Sequence, residues 1–597
     1  MTHFRSRPVR TPAATLAASL AACGALAGAL PPATAPSHHI TLRLEPAEGR
    51  LEGVDHMALP PGRRGPLALQ LMQGLQVQSV SAAGRALPFT REGDALRLAT
   101  PAGASSLEVR WSGRLAGQAP PRVAAEGTWL PGEAAWYPRL GEADRVRVDV
   151  LTPPGQQAAL TGALREEDST PAGTRTVFEA YAGEPPTLLA GPWQCEGRPH
   201  RGLRLRACFH AEVAPLSQAY LDDAARHLDR YAAQLGPYAY AGFDMLSGPD
   251  PVGLGYPGLT YVSRAILPLP FMRARSLPHE VLHGWWGNGV RVRAGSGNWA
   301  EALTTYQSDY ALSGAEAQER MRREWLQDFA ALAPAADTPL SAFVTKTHAR
   351  DQVVGYGKGA FVFHMLERQL GQAAFDAGLK RFYAAHRLGD AGWRELQSAF
   401  ESAGGQRLDG FFPQWLQRAG APALALQGVD WREDGVTLRL AQTQQGAPYA
   451  LRVPVEITTG DGARETHVLA LEGARTRADI ATRARPVALQ VDAHADVFRR
   501  LAAGERAATL RDVLLLESAR TVLVNAEGDA GAAALALAGQ LVAQAGEPVA
   551  AGAWERTQPA LAVGVGTPAA VAAALGLEPP ALPAGEPATV VAWAVAG

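Results

Sequence analysis

The chain has 597 residues, 47% of them hydrophobic, and a formal net charge of -2 with no long run of either sign. That length accommodates about three to four domains with several cores. The charge balance excludes the polybasic patterning of a nucleic-acid binder or of a protein held on an anionic membrane surface.

Residues 1–36 read as an export signal. Arg5, Arg7 and Arg10 precede an apolar, alanine-rich run from Ala13 to Leu30, and PPATAPS follows; the run is too interrupted for a membrane span. Leu20-Ala21-Ala22-Cys23 has the layout of a bacterial lipoprotein box, which would put a lipid on Cys23 as the only membrane attachment. Ala25-Leu26-Ala27 is an ordinary small-x-small cleavage site, and both routes stay open. Either one delivers the protein to the periplasm or the cell envelope. Cys195 and Cys208 are then an even pair in a compartment that permits disulfides. The residues between them read as a turn followed by an alternating strand, so a cross-strand bridge is expected, with two reduced, buried thiols as the alternative.

Residues 37–210 alternate polar and apolar positions in short runs such as HITLRLEP, SLEVRWSG and RVRVDVLTP, broken by Gly and Pro, and predict an all-β domain. Residues 211–422 turn helical, beginning with LSQAYLDDAARHLDRYAAQLGPY. A strand-like FDMLSG and the Gly-rich GLGYPGLTYV interrupt the helices before Ser276. Residues 423–505 return to strands and read as a β-sandwich module. Residues 506–597 alternate strands and helices, predict a small α/β domain, and stop on a strand as though that domain were incomplete. Gly564-Val565-Gly566-Thr567-Pro568 in that last segment reads as a tight turn. The fold class expected is multidomain α+β.

The chemistry lies in Ser276 to Tyr310, SLPHEVLHGWWGNGVRVRAGSGNWAEALTTYQSDY. On a helix, His279 and His283 stand one turn apart on one face and can close on a single metal ion. Glu280 is about 100° round from His279 and can reach a water beside the metal without binding the metal itself. A catalytic site needs a third protein ligand and one open position, and Glu301 is the candidate, on a second helix from Trp299 to Leu312. Ser276 is expected to cap the first helix, with Pro278 in its opening turn and Asn288-Gly289 ending it. Asn298 followed by Glu301 also has capping-box spacing, which needs no metal.

HEVLHGWWGN followed by WAEALTTY resembles the aminopeptidase N-like zinc metallopeptidases, whose catalytic domain is thermolysin-like. The resemblance implies one Zn2+ per chain held by His279, His283 and Glu301, with Glu280 as general base and a peptide as substrate. Glu301 follows His283 one residue sooner than is usual in that family. The early EGRLEG turn, WYPRL at 136–140 and LLAGPW at 188–193 are similar to the family's amino-terminal β-domain, and LDGFFPQWLQRAGAP at 408–422 to the close of its catalytic domain. Tyr356, two residues before Lys358-Gly359, matches a family tyrosine that reaches into the zinc site, here from a loop before a helix. Gly255, Tyr256, Pro257 and Gly258 stand where the family carries a segment whose glutamate grips the substrate's free amine, and no acid occurs from Pro251 through His279. The strand around them is expected to line the cleft, while the amine meets Asp250, an acid of the amino-terminal domain, or none. An exported zinc peptidase with altered amine recognition is the reading. An endopeptidase, another hydrolase of the same fold and an inactive envelope-anchored binding protein are its alternatives.

Overall fold

The computed structural model describes residues 37–60, 65–99, 104–141, 145–516, 519–542, 547–555, 559–580, 591 and 594. The expected export segment with Cys23, and all but two isolated positions of the last expected strand at 589–595, lie outside them.

The amino-terminal part is all β. Its main sheet has eight strands and is antiparallel except where Ser37–Glu45 runs parallel to Arg145–Thr152. The alternation in SHHITLRLE becomes burial: Ile40, Leu42 and Leu44 are buried while their neighbours mostly face out. Two three-stranded sheets, one of them Pro66–Gln70, Phe89–Glu92 and Ala95–Ala99, complete a core centred on Trp111 and Trp136. Gly53 is required there, because a Cβ would stand 2.2 Å from the Trp111 ring.

The strands Trp193–His200 and Leu203–His210 lie just before the division expected at 210. They join Gly242–Gly248, Leu259–Ser263 and Gly253–Tyr256 in a five-stranded sheet that underlies the helical region. The helix Ser217–Leu235 is the reason: it crosses over between Leu203–His210 and Gly242–Gly248, which pair in parallel and therefore need such a connection. Its buried stripe of Tyr220, Leu221, Ala224, Leu228, Tyr231 and Leu235 packs into the core of the helical region. Cys195 and Cys208 are direct cross-strand partners and are joined by a disulfide.

Helices Ala315–Ala331, Gly359–Leu370, Gln372–His386, Trp393–Gly404 and Phe412–Leu416 follow. Two three-stranded antiparallel sheets then face each other between Leu424 and Val491, and their inner residues Val436, Leu438, Val453 and Val455 share one continuous core with the helices. Arg322 stitches the two regions, donating to the carbonyls of His494 and Ala495, and His364 meets Asp496 at 3.0 Å. Beyond them, Val549–Ala550, Arg520–Val524 and Ala560–Gly564 form a parallel three-stranded sheet with helices Gly528–Leu541 and Pro568–Leu575. Thr567 caps the second of these by accepting from the Ala570 amide.

Intact-mass measurement of the unreduced protein should gain about 2 Da on reduction, one hydrogen per sulfur. No gain would mean that Cys195 and Cys208 remain thiols.

Candidate metal centre

The HEVLH residues sit near the end of a helical run from Met272 to Leu282, wound as π-helix over Met272–Ser276 and as α-helix over Leu277–Leu282. Ser276 therefore lies inside the run with helical torsions and makes no cap bond, contrary to expectation. Pro278 accounts for the junction: it has no N–H to offer the ladder, and the wider π turn before it absorbs the gap. The run also stops earlier than expected. After Leu282 the chain turns through Gly284 into the short strand Trp286–Gly287, so Asn288-Gly289 is not its terminus. Asn288 instead donates its side-chain amide to the Gly255 carbonyl at 3.4 Å.

Glu301 comes from the second run, α-helical over Trp299–Thr305 and π-helical over Tyr306–Tyr310. Asn298 caps it, accepting from the amides of Ala300 and Glu301 at 3.0 and 3.3 Å. The capping residue is thus the Asn alone, and the Glu301 carboxylate turns toward the histidines.

There Glu301 Oε2 stands 3.5 Å from His279 Nε2 and 3.6 Å from His283 Nε2, and one donor atom from each residue falls within 4.8 Å of the others. Donors about 2.0–2.1 Å from a tetrahedral zinc lie about 3.3 Å apart, so the cluster has the size and the N/N/O chemistry that zinc takes. His283 donates Nδ1–H to the Trp286 carbonyl at 2.9 Å, which leaves Nε2 free of a proton for a metal. His279 Nδ1 faces Ser308 Oγ at 3.4 Å and Asp309 Oδ1 at 3.5 Å, and the other Asp309 oxygen lies 3.4 Å from Arg275 Nε.

Sequence reasoning missed Asp309. It is eight residues past Glu301, and eight steps of about 100° overshoot two helical turns by about 80°. The extra residue in the π turn Tyr306–Tyr310 absorbs that overshoot and returns Asp309 to the face of Glu301.

Glu280 borders the cluster with its Oε2 buried and, among the described residues, without a hydrogen-bond partner. Burial pushes its carboxyl up, against the pull of His283 and His279. Burial also pushes Glu301 up, but His283, His279 and the Tyr356 hydroxyl outweigh it and hold that carboxyl at about 2. Tyr356 lies in a π-helical turn, Gln352–Lys358, and not in the loop expected; its hydroxyl faces the Glu301 carboxylate. Burial, then the Glu301 charge, push the phenol up, so it stays a neutral donor. The turn is anchored by Lys358, fully buried, whose ammonium donates to the carbonyls of Arg418 and Gly420 at 3.4 and 3.2 Å.

Gly253–Tyr256 is the edge strand of the five-stranded sheet and passes directly over this cluster. A Cβ on Gly255 would stand 3.0 Å from Glu280 Oε2 and 3.1 Å from His283 Cβ, so the strand approaches this closely only without a side chain. Pro257 and Gly258 form the turn back, Gly258 with φ of +73°. Asp250 is already engaged and cannot serve an amine, because Arg122 gives it two hydrogen bonds, at 2.8 and 2.5 Å, and the Tyr261 hydroxyl a third at 2.5 Å.

The profile of the peptidase family M1 domain matches residues 273–415. Among similar proteins are the tricorn protease-interacting factor F2 of Thermoplasma volcanium (24% identity, covering 40% of this chain and 33% of that protein) and aminopeptidase N of Lactococcus lactis subsp. lactis (27%; 28% and 20%). Probable aminopeptidase 1 of Saccharolobus solfataricus is a third (24%; 32% and 26%). The chain spans only a fifth to a third of the length of these relatives.

Zinc content measured on purified protein should stay near one per chain in Glu280→Gln and be lost in His283→Ala; loss in Glu280→Gln would make that residue a ligand. Asp309→Asn should weaken zinc affinity by roughly 10- to 100-fold, as removal of a histidine's orienting partner does. Competition against a chelator of known affinity reads this directly, and unchanged affinity would leave Asp309 an ion-pair partner of Arg275 alone.

Proposed function

Residues 273–415 belong to peptidase family M1, and from that premise we propose that the chain is an exported, zinc-dependent peptidase of the aminopeptidase N-like kind that recognises its substrate's amine in an altered way. The observation that carries the reading is the convergence of His279, His283 and Glu301 beside a buried carboxylate, Glu280, that has no partner of its own among the described residues. Export rests on the signal layout of residues 1–36 and agrees with the Cys195–Cys208 bridge.

His279, His283 and Glu301 would hold the zinc ion, which when bound would supply Lewis acidity toward the scissile carbonyl and the attacking water. Glu280 accepts the water's proton on its buried carboxylate and delivers it to the nitrogen of the leaving amine. The Tyr356 phenol leaves Glu301 to donate its hydrogen bond to the oxygen that gains negative charge at the tetrahedral stage. The open edge of Gly253–Tyr256 aligns the peptide by main-chain hydrogen bonds, and Gly255 lets the substrate backbone come close to Glu280. Neither Gly255 nor the Arg122-bound Asp250 offers a charge to an ammonium group next to the scissile bond. The same absence favours a second reading, cleavage within longer peptides.

A peptide-library digest read by mass spectrometry, with and without chelator, tests the proposal, and cleavage that survives zinc removal would overturn it. Tyr356→Phe should lower kcat by roughly 10² to 10³ with zinc retained, the scale of one lost oxyanion donor; an unchanged kcat would reduce Tyr356 to packing against Phe343. Acetylating an amine on the residue just before the scissile bond should cost less than about tenfold in kcat/KM, against the roughly 10- to 150-fold that a charge-assisted hydrogen bond is worth. A hundredfold loss would restore plain aminopeptidase recognition.

A further inference from the structure

A cavity of about 550 Å³ opens where the edge strand Gly253–Tyr256 ends, between the amino-terminal β region and the helical region. Tyr256, Pro257 and Asn288 line it from the region of the edge strand, and Glu133, Tyr181 and Glu184 line it from the amino-terminal β region. Asn288 belongs to both places, since it lines the cavity and holds the carbonyl of Gly255, the residue that lies against Glu280 and His283. Tyr256 and Pro257 follow Gly255 by one and two residues, so the cavity begins about 3 to 7 Å of strand beyond the residue that lies against Glu280 and His283.

Its charges are unevenly committed. Arg291 gives Nε to Asp390 at 2.7 Å and Nη1 to the Leu388 carbonyl at 2.9 Å. Arg139 gives Nη1 to the Gly132 carbonyl at 3.1 Å and Nη2 to Gln70 Oε1 at 3.0 Å. Glu133 and Glu184 are exposed to the cavity and make no hydrogen bond or ion pair among the described residues. Glu133 and Glu184 face Arg139 and Arg291 in the lining, and Asp390, outside the lining, is the acid that takes up the Arg291 charge, so the two glutamates are the carboxylates left to a cation there. The rings of Tyr181, Tyr240 and Tyr256 add π faces of the kind that attract organic cations. A volume of this size suits one or two peptide residues.

Building on the peptidase reading, we propose that this cavity is a cation subsite of the peptidase: Glu133 and Glu184 receive an ammonium or guanidinium group that the substrate carries two residues away from the scissile bond. The group is either the substrate's amino terminus at that distance or the side chain of a lysine or arginine there. Recognition of positive charge is thereby displaced from the scissile residue, where Gly255 and Asp250 provide none, to a site built largely by the amino-terminal β region. A blocked peptide with a basic residue at the right distance is then a substrate, and so is a free peptide that loses two residues at once.

The test uses the zinc-loaded full-length protein and Glu133→Gln/Glu184→Gln. Three peptides share one scissile bond: one with a free amino terminus two residues from it, one acetylated with arginine at that place, and one acetylated with alanine there. The double variant should lose roughly 10- to 100-fold in kcat/KM on a cationic peptide while cleaving the neutral one as the wild type does. Loss confined to the free-amine peptide or to the arginine peptide identifies the source of the charge. Equal losses on all three, or none on any, would overturn the subsite. Should the wild type cleave no peptide, the peptidase reading fails by itself, and calorimetric titration with N-acetylarginine amide still decides the cavity. A second titration with alanine amide supplies the free α-ammonium; binding of either probe that the double variant loses supports the subsite, and absence of binding of both to the wild type overturns it.

Discussion

Three donor atoms on two separate helical runs must meet around one point, and the register of those runs governs everything else at the site. His279 and His283 are related by a single helical turn, so their pairing is local. Glu301 is brought to them only because the run beginning at Trp299 crosses the first at the right height, with the buried Trp286, Trp299 and Phe382 rings packed together behind it. Each of the helical segments that carry the cluster and Tyr356 contains a π turn: Met272–Ser276, Tyr306–Tyr310 and Gln352–Lys358. A π turn adds a residue without adding a turn, so it shifts the angular position of every side chain beyond it. Asp309 reaches His279 by this means.

The rigidity of that arrangement comes from outside the motif. Lys358 buries its charge under Phe329 and Phe498 and donates to the carbonyls of Arg418 and Gly420, which ties the Tyr356 turn to the end of the helical region. The facing three-stranded sheets extend the same core, so the helical region has no independent outer face on that side. Burying an ammonium is costly unless its donors are satisfied, and two carbonyls at hydrogen-bonding distance with Asp337 at 4.0 Å meet that condition.

The substrate side follows a different logic. There the backbone, not a side chain, approaches the catalytic carboxylate, and Gly255 is what makes the approach possible. A side chain at that position would press on Glu280 and His283, and an acid would add a like charge beside Glu280. Among the described residues, the carboxylates left free to meet a cation near the end of the strand belong to the amino-terminal β region, because Asp250 is already neutralised by Arg122.

Local periodicity carries much of this molecule in its sequence. The alternation of HITLRLEP announces strands, the i, i+4 histidines announce a metal, and the turn between Cys195 and Cys208 announces their bridge, because each depends on residues close along the chain. The helix boundaries around HEVLH are not legible in this way, since Ser276 and Asn288-Gly289 look like terminators by residue type while packing and hydrogen bonding employ them otherwise. The assignment of Trp193–His200 and Leu203–His210 to the five-stranded sheet depends on a parallel crossover, which leaves no local mark. Asp309, the neutralised Asp250 and the cavity walled by Glu133 and Glu184 were decided only by tertiary structure. Their partners lie tens to more than a hundred residues away, and a π turn that moves a side chain by most of a quarter turn has no signature in residue spacing.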